Sequence, residues 1–124
     1  GRDNRTTGIR VPIAKPQARR VENRIAGMDA NPYLAIAASL AAGYLGLMNE
    51  ERPTAQYRGD AYDAEEAIPR DLGAALGLFE EATAMHDVLG PEFARVYGIV
   101  KRTEHNEFLQ VISPWEREHL LLNV

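Results

Sequence analysis

The segment "RVENR" at 20–24 sets Arg20, Glu22 and Arg24 at every second position. Along an extended chain successive side chains alternate, so these three share one face if the segment is a strand. Arginine carries a planar fork of donors that matches phosphate and carboxylate oxygens in pairs. A glutamate between two such forks can be neutralised by them, or can hold a divalent ion that bridges phosphate oxygens. Residue types alone therefore leave two readings open, a surface ion-pair ladder and the wall of a site that handles an anion and a cation. Arg5 and Arg10 add two more forks just upstream, five residues apart across Gly8, and need not share a face.

Other reactive residues point nowhere comparable. His86, His105 and His119 are isolated, with no HExxH pattern, and read as surface or partly buried side chains. No G-x-S-x-G elbow, G-x-G-x-x-G loop or phosphate-loop lysine occurs. Met48 and Met85 read as core fillers. The acidic cluster Asp60, Asp63, Glu65 and Glu66 lacks the glycine pattern of a calcium loop and reads as solvated. With no cysteine there is neither disulfide nor thiolate chemistry, which fits a reducing compartment, the cytoplasm. No apolar run reaches the roughly 18 residues of a membrane helix. The nearest, 33–48, is alanine-rich and contains Ser39, Gly43 and Gly46. The chain opens on Gly1, Arg2 and Asp3, without signal peptide or initiator methionine, which suggests a cut amino terminus.

Charge narrows the partners. Residues 1–24 hold seven basic side chains against two acidic ones, a net of +5, while residues 25–124 carry −9. So acidic a body repels a long nucleic acid, and a small anion suits the basic front better.

The elements that must position these groups can be read along the chain. "TTGIRVPI" is rich in β-branched residues, and "RRVENR" resumes an extended course after Lys15 and Pro16. Asn31 and Pro32 start a helix as cap and first residue. Its Ala/Leu body, apolar almost all round, is expected to be deeply buried and to end at Gly46 or Asn49. Residues 50–70 form a polar surface excursion. Asp71 caps a helix whose apolar face is Leu72, Ala75, Leu76 and Phe79, and Gly90–Pro91 separates it from a longer helix. There Phe93, Val96, Tyr97 and Val100 make an apolar stripe, continued by Phe108, Val111 and Ile112. "SPWE" at 113–116 is a capping box on a last short helix. The fold class is α+β, with short strands in front and helices behind. Two strands make no stable sheet alone, so the domain looks incomplete.

The order of three motifs carries a resemblance. "NRTTGIRVP" (4–12), "RRVENR" (19–24) and "DANPYLAIAASLAAG" (29–43) resemble the carboxyl-terminal part of the glutamine synthetase family. That family has an Asn-Arg-Ser/Thr…Arg-x-Pro strand, an Arg-x-Glu-x-Arg strand and an Asn-Pro-Tyr helix in this order. The closing "VISPWEREHLLLNV" (111–124) and the layout of 70–124 are more similar to the γ-glutamylpolyamine branch, such as γ-glutamylputrescine synthetases.

The resemblance implies a fragment of a glutamine-synthetase-type catalytic domain. Short antiparallel active-site strands and a loop fall in 1–28, and a mainly helical part in 29–124. It implies a ligase that uses ATP and Mg2+ or Mn2+ to join glutamate to an amine, putrescine or ammonia, through a γ-glutamyl phosphate. Arg5 corresponds to the catalytic arginine that reaches both the transferred phosphate and glutamate. Arg10 and Arg20 correspond to nucleotide-phosphate contacts, Glu22 to a metal ligand, and Arg24 to a clamp on a glutamate carboxylate. The chain departs from the pattern at Gln17, where many members have a lysine; Lys15 lies two residues earlier. Family sites lie between subunits of a ring-shaped homo-oligomer, with most metal ligands and the amine loop upstream. The 124 residues alone are therefore expected to be inactive and to self-associate through 4–24, where strands lack partners. A non-catalytic binding or assembly module derived from the same fold is the alternative.

Overall fold

Ile9–Arg10 (β1) and Glu22–Asn23 (β2) pair antiparallel, with Ile9 opposite Asn23 and Arg10 opposite Glu22. The computed structural model describes residues 4–64 and 68–121 and divides into two units, Gly1–Ile68 and Pro69–Val124. Short strands followed by helices make it α+β, as the sequence indicates.

In the first unit, Pro12 keeps β1 short, and a 3₁₀ turn at Pro16–Ala18 carries the chain back toward β2. The Arg24 amide donates to the Gly8 carbonyl at 2.8 Å, extending the pairing beyond the ladder. A Cβ on Gly8 would stand 3.0 Å from Ile25 Cγ1, so glycine lets the two segments approach here. Asn31 then caps α1 (Pro32–Met48), its Oδ1 accepting the amides of Tyr33 and Leu34 at 3.0 and 3.3 Å. Asn49 ends the helix. Asn23 Nδ2 donates to Ser39 Oγ at 2.9 Å, and Ser39 donates to the Ala35 carbonyl, tying β2 to α1.

The expectation that α1 is deeply buried is overturned. Of its residues only Ala41 is buried, while Tyr33, Leu40 and Leu47 are 82%, 69% and 80% exposed. An apolar composition shows that a helix favours burial, not that something covers it. Two-residue strands and the polar 50–64 segment supply little apolar surface to do so.

In the second unit, Asp71 Oδ1 accepts the Ala74 amide at 2.8 Å and caps α2 (Leu72–Glu81). The expected single helix up to Gly90 is broken at Ala82, whose φ/ψ of −78/62° leaves the helical region, and α3 (Thr83–Leu89) restarts there. No glycine or proline marks that break. It lets α2 and α3 both pack on α4 (Pro91–Leu109). The core is small. It holds Leu76, Ala94 and Gly98, with the Phe79 ring 5.5 Å from Tyr97 and 4.9 Å from His86. Glu80 receives a two-pronged bond from Arg102 at 3.1 and 2.8 Å.

Of the stripe read along α4, Tyr97 is half-buried against Phe79, but the other members need correction. Phe93, Val96 and Val100 are 41–46% exposed, because the buried face is the small-residue one of Ala94 and Gly98. Phe108, Val111 and Ile112 are exposed too. The capping box stands as read: Ser113 Oγ accepts the Glu116 amide and Glu116 accepts the Ser113 amide at 2.7 Å, opening α5 (Pro114–His119). Among the described residues no helix is long and apolar enough to cross a membrane.

Candidate functional site

The cross-strand pair Arg10–Glu22 is the seed of the site. Pairing in this register sets the two side chains opposite one another on one face. Arg10 Nε and one terminal nitrogen reach Glu22 Oε2 at 2.7 and 2.6 Å. Arg20, two residues before Glu22, reaches the other oxygen, Oε1, at 3.0 and 2.9 Å. Each carboxylate oxygen thus receives a fork of two nitrogens, and one anion bridges two cations.

Exposure grades the three groups. The side chains of Arg10 and Glu22 keep 22% of their surface, whereas Arg20 keeps 55%. The hydrogen bond from Arg10 is the largest influence holding the Glu22 carboxyl below its ordinary range. Partial burial opposes it, and the bond from Arg20 adds to the lowering. Glu22 is therefore ionised at neutral pH, while the cluster of two guanidiniums and one carboxylate keeps a net positive charge. Guanidinium forks with charge to spare can pair with a further anion, whereas the Glu22 carboxylate, a hard oxygen donor, has both oxygens taken by arginine here.

The sequence-derived site residues divide accordingly. Arg10, Arg20 and Glu22 are brought together. The guanidinium groups of Arg5 and Arg24 are exposed, and neither has a hydrogen bond or ion pair among the described residues. Lys15 and Gln17 sit at the exposed 3₁₀ turn between the strands. The pairing of Arg10 with Glu22 was not legible in the sequence, since strand register leaves no mark on either segment alone. Asp60 of the acidic cluster caps a 3₁₀ turn by accepting the Tyr62 amide, and Glu65 and Glu66 lie outside the described residues. So do Asp3 and the last three residues of the 111–124 stretch. No three His, Asp or Glu side chains gather as a metal site among the described residues.

Residues 1–120 match the family described as glutamine synthetase, catalytic domain. The glutamate–isopropylamine ligase of a Pseudomonas species is 38% identical over 94% of this chain and 26% of its own length. The γ-glutamylputrescine synthetase PuuA of Escherichia coli is 37% identical over 99% of this chain and 26% of its own. Type-1 glutamine synthetase 2 of Dictyostelium discoideum is 35% identical over 98% and 24%. The chain thus spans about a quarter of the length of these relatives, and its identity to them is similar although their names denote different ligases and synthetases.

Proposed function

The chain belongs to the glutamine synthetase family, and from that premise we propose that it forms the carboxyl-terminal part of an ATP-dependent ligase joining glutamate to an amine. The observation that carries the reading is the Arg10–Glu22–Arg20 bridge, which lies within the residues 1–120 that match the family. In the proposed reaction the γ-carboxylate of glutamate attacks the terminal phosphorus of ATP, giving γ-glutamyl phosphate and ADP. The amine nitrogen then attacks the acyl carbon, phosphate leaves with the C–O electron pair, and the nitrogen loses a proton. The first step exists because oxide is a poor leaving group and phosphate a good one.

Each residue of this chain has a part in that reading. Arg10 and Arg20 turn their forks from Glu22 to nucleotide phosphate oxygens, a better match in charge than one carboxylate. Glu22, released from one or both forks, would be the residue of this chain that holds a Mg2+ or Mn2+ ion. Bound there, the ion would supply positive charge to neutralise phosphate oxygens. Arg24 clamps a carboxylate of glutamate, and Arg5 meets the charge passing between phosphate and carboxylate. Further metal ligands come from chain beyond these residues, in a cytoplasmic, ring-shaped homo-oligomer whose sites are shared between subunits.

Putrescine is the proposed amine. The 111–124 stretch supports it, and two relatives quoted above are named for amines larger than ammonia. The test is a ligase subunit of the relatives' length that ends in residues 1–124, assayed for ATP- and glutamate-dependent phosphate release. Release with putrescine well above that with ammonia is the expected result. Preference for ammonia removes the polyamine assignment, and no release with any amine removes the ligase reading.

A further inference from the structure

Arg5 has the most demanding part in this reading, yet its guanidinium meets no partner among the described residues. Its direction comes from the backbone that carries it, and both neighbours fix that backbone. Asn4 Oδ1 accepts the Thr6 amide at 3.0 Å and the Thr6 hydroxyl at 2.6 Å, closing a tight turn with Arg5 between them. Thr7 Oγ1 adds a longer bond to the Asn4 carbonyl at 3.4 Å.

The same two side chains also reach 55 residues along the chain. Asn4 Nδ2 donates to the Gly59 carbonyl at 2.9 Å, and Thr6 Oγ1 accepts the Ala61 amide at 2.8 Å. Gly59 lies at φ +117°, a conformation that L side chains resist, so the carbonyl facing Asn4 depends on glycine. The receiving turn has its own braces. Asp60 Oδ1 accepts the Tyr62 amide at 3.0 Å, and the Tyr57 hydroxyl donates to the Asp60 carbonyl at 3.2 Å. The Thr6 hydroxyl spends its hydrogen on Asn4 and accepts from Ala61, so one atom links both halves of the arrangement.

We propose that Asn4 and Thr6 are positioning residues for Arg5, clamping its backbone from both sides onto the Gly59–Ala61 turn. This rests on the ligase reading. An arginine that must meet charge as it develops gains most when its carrier does not reorganise during the reaction, and here the carrier is held by bonds that leave the guanidinium free.

Thr6→Val keeps the shape and deletes both hydroxyl bonds, Thr6→Ser restores the hydroxyl, and Asn4→Asp keeps the acceptor for Thr6 while replacing the donor to Gly59 with a charged oxygen. In the 124-residue chain, Thr6→Val should speed hydrogen exchange at the Ala61 amide by about tenfold, with Thr6→Ser close to the parent. In the ligase of the relatives' length, Thr6→Val should lower kcat about tenfold while the KM for ATP stays within about twofold. Thr6→Ser should recover kcat, and Asn4→Asp should fall between. Unchanged exchange at Ala61 overturns the clamp. A KM for ATP that rises as much as kcat falls, or a serine variant no better than valine, overturns the positioning role. A parent ligase without ATP- and glutamate-dependent release shows instead that the ligase reading has failed. The role given to Arg5 then falls with it, whatever the exchange data show.

Discussion

Glu22 is the residue on which the site turns, because both of its oxygens are committed to arginine. A carboxyl held below its ordinary range stabilises the fold fully above the unfolded-state pKa. That contribution fades as pH falls through the ordinary range and is gone below the folded value. The pairing of β1 with β2 should therefore loosen on acidification in that window, and Glu22→Gln should remove the dependence. Since Arg10's bond is the largest cause, Arg10→Ala should return the Glu22 midpoint further toward its ordinary value than Arg20→Ala does. A carboxyl-carbon NMR titration of Glu22 in the parent and the two arginine variants reads the ranking, and exchange of the Arg24 amide against pH, in the parent and in Glu22→Gln, reads the loosening. Equal shifts in the two arginine variants would contradict the ranking. At this scale the sequence showed half of the cluster. The Arg20–Glu22 spacing is local and can be read directly, whereas Arg10 joins only through strand register.

At the scale of elements, helix ends were more legible than helix faces. Asn31, Asp71 and Ser113 act within three residues of themselves, so their capping follows from sequence alone. The break at Ala82 had no such signal, because it serves the packing of α2 and α3 on α4 and overrides local propensity. The end of α1 shows a cap made against propensity. Glu51 N reaches the Gly46 carbonyl at 2.9 Å and Glu50 N the Leu47 carbonyl at 3.2 Å, with Glu50 at φ +53° where glycine is usual. A left-handed residue with a Cβ costs about 1–2 kcal/mol, part of which glycine returns as unfolded-state entropy. Glu50→Gly should thus stabilise α1 by roughly 0.5–1 kcal/mol. Asn31→Ala should destabilise it by about 1 kcal/mol. Urea titrations followed by helical circular dichroism measure both, and a destabilising Glu50→Gly would show that Glu50 is not strained.

For the molecule as a whole, hydrophobic pattern identified surfaces that favour burial but not what lies on them. Tyr33, Ile36, Leu40, Tyr44 and Leu47 recur at helical spacing along α1, and all are more than half exposed. The sheet, with two residues per strand, leaves few unpaired backbone groups at its edges. Covering a large apolar side chain yields about 1.5–3 kcal/mol, against roughly 0.5–1.5 kcal/mol net for an edge hydrogen bond. Self-association of the 124-residue chain should therefore be driven more by the α1 stripe than by residues 4–24, although the sequence singled out the latter. Sedimentation velocity over a concentration series checks this. Leu40→Lys together with Leu47→Lys should shift the chain toward monomer and reduce binding of a hydrophobic dye. Val21→Pro, which blocks strand addition, should change neither by much. If the proline variant disperses the protein and the lysine pair does not, the sheet edge is the stronger contact and the apolar stripe is not what drives association.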